Sequence, residues 1–517
     1  MGIRDYYEML FGEQLDLKME GGQVILTAPD GSAAVYDTEN GTLASDDLTK
    51  FIYPPKLKAE GHGNLASGLP PFLAVKEETK EQGASPVTLD LAKYGIDVYA
   101  DEEDLWLPLV TLSDLFETQK NYMAFWNGEN IYVVDLLRTY QNGNAKRQDE
   151  HFYDVLKSTQ ERPSDLIDLT YRELCFNLET FYGYPSSTVF SEAVKTMGLD
   201  AALSQQDPET GTLLLSADRA EYATGLHRLF DFLLDDGGHT GSSEYLMNTY
   251  LEDDFALSLQ ALQEQYDPGE GKRTEAQAAA VKGVRAAREE KLGDASYVEQ
   301  GDTAMFVFDR FVLDLDGWNE YYQNGADLPV ETDTYAAFHA ALDKAAANPE
   351  IRNFVIDLAA NGGGESFSMS AMVSLICGES DIRFEDTVTG EKTCVSYLTD
   401  TNLDGAFDEQ DLEVSYDLTF TVLTSEGTFS SANAMASILS DKGIPILGEQ
   451  SGGGSCSVQF CGTADGWLYT ISNNIHLVNQ AGEDIDSGVP VKEKLVIEGE
   501  DGSRDYSEFY DLERIRN

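Results

Sequence analysis

The sequence predicts an α/β protein with a layered core in its C-terminal part, a helical region before that core, and a β-rich domain at the N-terminus. Its 517 residues exceed the size of one ordinary domain, so two or three domains are expected. Hydrophobic residues make up 42% of the chain, which is sufficient for several cores. After residue 297, strand-like and helix-like segments alternate, as is typical of a layered α/β domain.

Residues 1–145 are predicted to form the β-rich accessory domain. The segment 23–37, QVILTAPDGSAAVYD, alternates apolar and polar residues around an Asp-Gly turn. The segment 87–116 reads as a strand, a turn, a second strand and a helix entered at Thr111 or Ser113. Residues 51–73 are rich in proline and glycine and are expected to be a connector. We find no catalytic constellation in this part.

Residues 146–296 are predicted to be a helical cap region. The stretches 164–183 and 216–236 carry apolar residues at steps of three and four, and 276–292 is rich in strong helix formers. Residues 297–517 are the predicted α/β core, whose first helix should be capped by Thr332 or Asp333. In chain order, its predicted strands are DTAMFVFDRF, NFVIDLAA, LTFTVLTS and IPILGE, and its helices, which alternate with them, are TYAAFHAALDKAAAN, ESFSMSAMVSLICG and SSANAMASILSDKG.

The charge of the chain restricts its partners. Ninety-two acidic residues against 35 basic ones give a net charge of −57, which argues against binding to nucleic acids or anionic membranes. No apolar run approaches the roughly 18 residues that span a bilayer, and the N-terminus lacks the pattern of a signal peptide.

Cys456 and Cys461 are close enough for a disulfide in an oxidising compartment, but two small, partly buried thiols are an equal alternative.

Three polar segments follow strands or helices and could carry chemistry. Asn361 and three glycines follow a buried strand and can present backbone N–H groups to an anion, or form a plain tight turn. Ser430 stands between a strand and a helix, where nucleophilic serines of hydrolases lie, although serine is also a favoured helix N-cap. His239 lies in a glycine-flanked turn after a helix and is either a general base or an incidental loop histidine.

Together these segments resemble the S41 peptidases, a family that includes the C-terminal-processing proteases, the tricorn core and the retinoid-binding interphotoreceptor repeats. Members carry a strand ending in D-L-R-x-N-x-G-G, then the serine loop, then a G-E-x-T/S-x-G segment. The match covers about residues 297–500, and the His239 turn, similar to the family's D-G-H-T segment, extends it to about residue 165. The matching residues are Asp357, Leu358, Asn361, Gly362, Gly363, Gly364, Gly448, Glu449, Ser451 and Gly453, with Ala359 in place of the arginine.

The resemblance implies a ClpP/crotonase-like core and a serine endopeptidase that acts on proteins or peptides without a catalytic cofactor. Gly454 stands where the Ser–Lys members have their lysine, so the resemblance points to the tricorn-like branch, in which serine pairs with histidine and a carboxylate. It implies Ser430 as nucleophile, with Ser431 as the alternative, and His239 as base. It also implies an extracytoplasmic location, with the signal absent from this chain, and leaves the oligomeric state open.

The acid and the oxyanion donors are less closely defined by the resemblance. The acid should precede a G-V-x-P segment, where Asp486 is favoured and Glu483 and Asp484 stay open. The implied oxyanion donors are the backbone N–H groups of Ser431 and of Gly363 or its neighbour. A silent binding module for peptides or small apolar ligands, built on the same fold, is the alternative function.

A separate motif predicts a structural calcium ion. Residues 400–411, DTNLDGAFDEQD, follow the spacing of an EF-hand loop with Gly405 at position 6, although Asp411 replaces the usual glutamate at position 12. An acidic hairpin loop is the alternative. The predicted ligands are Asp400, Asn402, Asp404, Ala406 (through its carbonyl), Asp408 and Asp411.

Overall fold

The structure is a computed structural model. It describes residues 1–52, 69–116, 122–126, 129–135, 162–185, 188–242, 273–500 and 502–515. The predicted connector at 51–73 therefore lies mostly outside the described residues.

A six-stranded sheet, here called the core sheet, forms the centre of the C-terminal part. Its first two strands are antiparallel to each other, and every other neighbouring pair is parallel. Three helices, Thr334–Ala347, Ser366–Cys377 and Ser431–Asp441, stand between successive strands, as predicted. The strands, in spatial order, are Tyr297–Gln300, Thr303–Val307, Asn353–Asp357, Thr419–Thr424, Ile446–Gly448 and Glu493–Lys494.

Both faces of the core sheet are covered, which explains the continuous apolar runs in its strands. Phe354 and Ile356 pack in one hydrophobic core with the three helices between the strands. Val355, between them, points to the opposite face and packs with the helix Arg273–Leu292 and the C-terminal segment around Phe509. The predicted layered α/β core is therefore confirmed.

The order of the core sheet brings the two glycine- and serine-containing loops together. The strands Asn353–Asp357 and Thr419–Thr424 are parallel neighbours, paired from Asn353–Thr419 to Asp357–Leu423. Carboxyl ends of parallel strands meet at one edge of a sheet, where α/β proteins place their sites. The loops 358–365 and 425–430 consequently leave the sheet side by side.

A second six-stranded sheet, here called the lateral sheet, joins distant parts of the chain. Leu73–Gln82 pairs with Lys392–Thr399, which pairs with Ser380–Asp386. The long strand Leu468–Val478 continues the sheet and pairs with both Gly241–Ser242 and Cys456–Gly462. Because Gly241–Ser242 comes directly after His239, this pairing fixes the histidine turn beside the core.

The N-terminal part contains a five-stranded antiparallel sheet. Its apolar side chains share one hydrophobic core with the helices between residues 164 and 234 and with Cys461, Trp467, Tyr469 and Ile471. The sheet contains, in order, Asp16–Glu20, Gln23–Thr27, Ala33–Asp37, Thr42–Ser45 and Val87–Asp90.

The remaining elements surround these sheets. The α-helices are Ile3–Phe11, Leu48–Ile52, Leu109–Phe116, Ser164–Thr180, Val189–Met197, Leu199–Gln206, Pro208–Leu214, Arg219–His227, Leu315–Asn324 and Leu512–Ile515. A π-helix spans Arg228–Leu234, and short 3-10 helices span Ala92–Tyr94, Asp411–Glu413 and Ser507–Tyr510. Short paired strands are Tyr99–Ala100 with Leu105–Trp106, Tyr122–Trp126 with Ile131–Asp135, and Ile497–Glu498 with Arg504–Asp505.

Several local expectations can be compared with the structure. The helix expected to start at Thr111 or Ser113 begins earlier, at Leu109, directly after Pro108, a residue common at helix starts. Asp333, and not Thr332, caps its helix by accepting from the Ala336 N–H. All five cysteines are free thiols. Within the described ranges, no helix has the length and apolar character needed to cross a bilayer.

Candidate active site

Ser430 occupies a strained turn between the strand Thr419–Thr424 and the helix Ser431–Asp441. Its φ of 56° and ψ of −127° are a combination that residues other than glycine adopt only under constraint. Such a turn lifts a hydroxyl out of the sheet and places it at the start of a helix, an arrangement also found in hydrolases with a nucleophilic serine.

Hydrogen bonds from both sides hold this turn in place. Ser425 and Thr428 donate side-chain hydrogen bonds of 2.6 and 2.7 Å to carbonyl groups at the end of the neighbouring strand. The Ser430 N–H donates to the carbonyl oxygen of Gly453 at 2.9 Å. These bonds offset a backbone strain of about 1–3 kcal/mol.

The two adjacent serines differ in what their hydroxyls do. Ser430 makes no side-chain capping bond to the helix that follows it, so the simple N-cap interpretation does not describe it. The Ser431 hydroxyl donates to the Gly364 carbonyl at 2.8 Å and so ties the helix to the glycine loop. The geometry therefore favours Ser430 over Ser431 as the nucleophile.

The glycine loop approaches Ser430 so closely that a side chain at Gly363 would not fit. With φ at 101°, a Cβ on Gly363 would lie 2.6 Å from Ser430 Cβ and 3.1 Å from its Oγ. Gly364 packs just as tightly, since a Cβ there would lie 2.3 Å from the Phe311 carbonyl oxygen. At Gly362 the space is open. Because Gly363 and Gly364 have no Cβ, the backbone of this loop can lie directly against Ser430.

The N–H groups near Ser430 are the candidate oxyanion donors. The Gly363 N–H donates to Asn361 Oδ1 at 2.9 Å in this structure, whereas the Ser431 N–H has no acceptor among the described residues. Asn361 is fully buried and also donates to the Phe308 carbonyl at 3.2 Å. Donation from Gly363 to a substrate would require the Asn361 bond to be shared or broken. Gly364, the neighbour on the same loop, lines the cleft beside Ser430.

His239 lies in a turn that the buried Asp236 holds together. The Asp236 carboxylate accepts hydrogen bonds from the N–H groups of Gly238 and Thr240, at 3.3 and 3.0 Å, and from the Thr240 hydroxyl. That hydroxyl in turn accepts the Ser472 N–H at 2.9 Å, which joins the turn to the lateral sheet. The imidazole is consequently held by its backbone and points to the cleft that also contains Ser430.

The surroundings of His239 favour its neutral form. Its side chain is 8% exposed, and the ring packs against Phe429 with the ring centres 4.8 Å apart. Burial lowers the pKa of His239 below its usual value; the Arg273 charge also lowers it, whereas Asp236, Asp486 and the nearby Cys456 backbone oppose the shift. A neutral imidazole at neutral pH can accept a proton, as a general base must.

The predicted acid, Asp486, lies near His239 but is bound to an arginine. Arg273 Nη2 and Nη1 contact its two carboxylate oxygens at 3.2 and 3.4 Å. One of those oxygens also accepts the N–H groups of Gly454 and Ser455, at 3.0 and 3.4 Å. His239 Nδ1 is buried and has no hydrogen-bond partner among the described residues. The structure thus brings Asp486 beside the histidine without a carboxylate–imidazole hydrogen bond.

The other two candidate acids have different partners. Asp484 Oδ2 pairs with His476 Nδ1 at 2.6 Å, and His476 Nε2 lies 3.4 Å from the thiol of Cys456. Glu483 accepts a hydrogen bond from Asn479 within an exposed turn. Of the three, only Asp486 is among the charges that act on the pKa of His239.

Sequence reasoning did not identify two charged residues of this site. Asp236 stands three residues before His239, so its position in the DGGHT turn was a usable signal for a turn-stabilising carboxylate. Arg273 had no such signal, because it reaches the site only through the packing of the helix Arg273–Leu292. The N-terminal end of that helix is held by Asp235, which accepts the N–H groups of Arg273 and Thr274 at 2.8 and 3.3 Å.

Two open clefts meet at this site. One, of about 460 Å³, is lined by His239, Ser430, Phe429 and the glycine loops. A second, of about 500 Å³, is lined by Arg273, Asp486 and the loop around Gly452. Gln277 lines both, so the clefts are neighbours, and Ser430 lines the first of them.

Gly454, which stands where the Ser–Lys members have their lysine, has no room for a side chain. Gly454 has a φ of 88°, and a Cβ there would lie 2.6 Å from the Phe429 ring. A long side chain at this position would displace the ring that packs against His239. The backbone here is therefore shaped for glycine, in agreement with the absence of a lysine.

The predicted calcium loop is closed by its own hydrogen bonds. Asp400 accepts the N–H groups of Gly405 and Asp404 at 2.7 and 3.1 Å, and Asp411 accepts those of Thr401 and Asp408 at 2.8 and 2.9 Å. The described residues contain no group of three or more His, Cys, Asp or Glu side chains arranged to hold a metal ion. The side chains as placed thus do not fit an ion, and calcium binding stays a prediction.

Comparison with known proteins identifies a family for part of the chain. Residues 312–492 match the model of peptidase family S41. This match confirms the predicted resemblance to that family over this part of the chain. No curated protein sequence matches the chain.

Several solved structures are similar at low identity. The photosystem II D1 C-terminal processing protease is 20% identical with a TM-score of 0.27, over 39% of this chain and 45% of that one, so the chain spans less than half of its length. A lipoprotein from Streptococcus agalactiae is 13% identical with a TM-score of 0.35, over 64% and 92% of the two chains. Mature CPAF complexed with lactacystin is 15% identical with a TM-score of 0.30, over 43% and 53%.

Proposed function

On the premise that this chain carries a peptidase family S41 domain at residues 312–492, we propose that it is a serine endopeptidase. One observation carries the proposal: the strained Ser430 and the buried His239, whose pKa is lowered chiefly by burial, line the same cleft. Proteins or peptides are the substrates, and the open cleft at Ser430 has a second open cleft beside it that can take more of a peptide chain.

The mechanism is acyl transfer. His239 takes the proton of Ser430, and the serine oxygen attacks the peptide carbonyl carbon. The N–H groups of Ser431 and of Gly363 or its neighbour Gly364 stabilise the resulting oxyanion. Collapse of the intermediate breaks the C–N bond, and the imidazolium returns its proton to the leaving amine. Water then hydrolyses the acyl-enzyme by the same route, with His239 again as the base.

Labelling with a fluorophosphonate tests this function. The native chain is expected to be labelled, and mass spectrometry should find the label on Ser430. The Ser431→Ala variant should still be labelled, because its hydroxyl is bound to Gly364 and does not attack. A folded chain that takes up no label, or takes it up at Ser431, would contradict the assignment.

The alternative function is a silent binding module for peptides or small apolar ligands. The observation in its favour is that Asp486 is paired with Arg273 and that His239 Nδ1 lacks a carboxylate. A fluorophosphonate reacts only with an activated serine, so the probe separates the two functions. Saturable peptide binding together with failure to label would favour the module.

The pH dependence of peptidase activity provides a second test. Because the pKa of His239 lies below the usual value of 6.5, the base is predominantly neutral at pH 7 and reaches half protonation only at a pH below 6.5. We therefore expect activity to be constant near pH 7 and to fall on the acid side with a midpoint below 6.5. A profile with no fall on the acid side at any pH at which the protein stays folded would rule out His239 as the base.

Calcium binding by residues 400–411 is proposed as a structural feature. If the loop takes up the ion, saturating Ca²⁺ should stabilise the fold by roughly 3 kcal/mol at 100 times the dissociation constant, measured as a rise in melting temperature over a sample in EDTA. Asp404→Ala, at exposed position 5, should abolish the rise, whereas the exposed Asp417→Asn beyond the loop should retain it. The prediction fails if Ca²⁺ leaves the native melting temperature unchanged.

The location outside the cytoplasm is likewise a proposal. It is supported only by the class of enzyme, and fractionation of the source cells with an antibody against this chain would test it. Recovery of the protein in the cytoplasm alone would contradict it.

A further inference from the structure

The starting point is a buried nitrogen without a partner. His239 Nδ1 is sealed from solvent and has no hydrogen bond among the described residues, although the Ser–His mechanism protonates this ring in every cycle. An imidazolium with a buried, unpaired N–H would be costly, so a carboxylate should reach Nδ1 when the ring is charged. Two carboxylates, those of Asp236 and Asp486, act on the imidazole.

The Asp236 carboxylate is already hydrogen-bonded within the turn that holds His239. Its two oxygens accept the N–H groups of Gly238 and Thr240 and the Thr240 hydroxyl, and Tyr182 donates to it at 3.5 Å. Rotating this carboxylate towards Nδ1 would break the turn that positions the ring. Asp236 is consequently a fixed charge.

The two carboxylate oxygens of Asp486 are held differently: Oδ1 accepts the N–H groups of Gly454 and Ser455, whereas Oδ2 contacts Arg273 Nη1 and is the oxygen that can move to His239. The Asp486 backbone N–H donates to Asp484 Oδ1 at 2.8 Å, which fixes the main chain. Its contacts with Arg273, at 3.2 and 3.4 Å, are longer than the roughly 2.7–2.9 Å of strong N⁺–H···O⁻ bonds. Arg273 also donates to the Gly452 carbonyl at 2.7 Å and lies over the Phe429 ring at 5.5 Å, so it keeps partners when the carboxylate leaves.

We propose that Arg273 is a positioning residue of this active site: it holds the Asp486 carboxylate while His239 is neutral and gives it up to Nδ1–H when the imidazole takes the Ser430 proton. This inference rests on the proposed function. It assigns a role to the two residues together. While His239 is neutral, Arg273 binds the Asp486 carboxylate, so that the carboxylate is close to the imidazole without being hydrogen-bonded to it.

The proton and charge balance of this step is simple. The Ser430 proton moves to the imidazole nitrogen facing the cleft, and the ring becomes a cation next to the Arg273 cation. The Asp486 side chain then turns from Arg273 to the Nδ1–H group and stabilises the imidazolium. When the proton passes to the leaving amine, the ring is neutral again and the carboxylate returns to Arg273.

The charges around His239 come from three other elements and its own turn. Asp236 belongs to the turn, Asp486 to the loop before Val489, and Arg273 to the helix packed over the cleft. The strand Cys456–Gly462 contributes the Cys456 backbone. Removing Arg273 would delete the cation that, among the described residues, lowers the pKa of His239, and would leave both carboxylates to favour the charged ring.

The test is the titration midpoint of His239 in variants of the pair, measured by NMR of the imidazole signals and by the pH dependence of fluorophosphonate labelling. Arg273→Gln should raise the midpoint by about one pH unit, because the carboxylate then pairs with the ring at rest. Asp486→Asn should lower it. Arg273→Lys, which keeps the charge, should restore most of the native midpoint, and Arg285→Gln, on the exposed side of the same helix, should not move it.

A purely structural role would change the melting temperature of these variants and leave the midpoint in place. An unchanged midpoint in folded Arg273→Gln therefore overturns the proposal. Should Arg273→Gln fail to fold, Asp486→Asn decides: a lowered midpoint supports the pair, and an unchanged midpoint overturns it.

Failure of the proposed function would look different. If the native chain takes up no label at all, the peptidase proposal fails, but the NMR titration of His239 still reports on the pair. A histidine assigned by its loss in His239→Gln makes that measurement independent of activity. The two proposals can thus fail separately.

Discussion

Replacing Ser430 with alanine is expected to abolish peptidase activity on casein, by about 10⁴-fold or more, because the nucleophile is lost. His239→Ala should be nearly as inactive, since no other described side chain in the cleft is placed to accept the serine proton. The double variant should be no worse than either single one, as is usual for residues that act as a unit.

Matched controls separate chemistry from folding. Ser431→Ala lies next to Ser430, and His227→Ala removes a histidine from a nearby helix, paired there with Asp231. Both should keep most of the activity, and all four variants should keep the native circular dichroism. A Ser430→Ala variant that still cuts casein, after contaminating proteases are excluded with an independent preparation, would refute the assignment.

Replacing Gly363 with alanine is expected to have the second largest effect. The new Cβ would lie 2.6 Å from Ser430 Cβ, and φ at 101° is unfavourable for alanine, so the serine or the loop has to move. A displacement of about one ångström in a nucleophile costs on the order of 10²-fold in rate. We expect the loss to appear in kcat/KM on a fluorogenic peptide.

Gly362→Ala is the matched control for this prediction. It is the adjacent residue, and a Cβ there meets no atom within 4 Å. The variant should therefore keep activity within a few-fold of native. Equal losses in both variants would mean that the loop tolerates no change at all and that the close approach to Ser430 is not the cause.

The layered core was predictable because its signals are local. Strands buried on both faces, such as NFVID, read as continuous apolar runs, and the helices between them begin at recognisable residues such as Asp333. The same is true of Ser430 and His239, each of which follows a strong secondary-structure element. That Ser430 and His239 lie in one cleft was predictable from the resemblance to the S41 family, and not from the spacing of the two residues along the chain.

The electrostatics of the site were not predictable from the sequence. Arg273 is far from Asp486 along the chain, and no sequence pattern predicts that the two side chains form an ion pair. Asp484 is paired with His476, whereas the charge of Asp486 acts on His239, and neither contact has a signal in the sequence. Such contacts are made by tertiary packing, which a single sequence does not encode in any local signal.

The lateral sheet has a consequence for the way this protein is made. Among the described strands, Leu73–Gln82 pairs with Lys392–Thr399, so this pairing cannot form on the ribosome until more than 300 further residues have been synthesised. A waiting edge strand is a hazard for association between nascent chains. Five of its ten residues are charged and most are exposed, so that association between nascent chains through this strand is disfavoured. The strand is thus suited to late assembly, and the enzyme should gain its activity only near the end of synthesis.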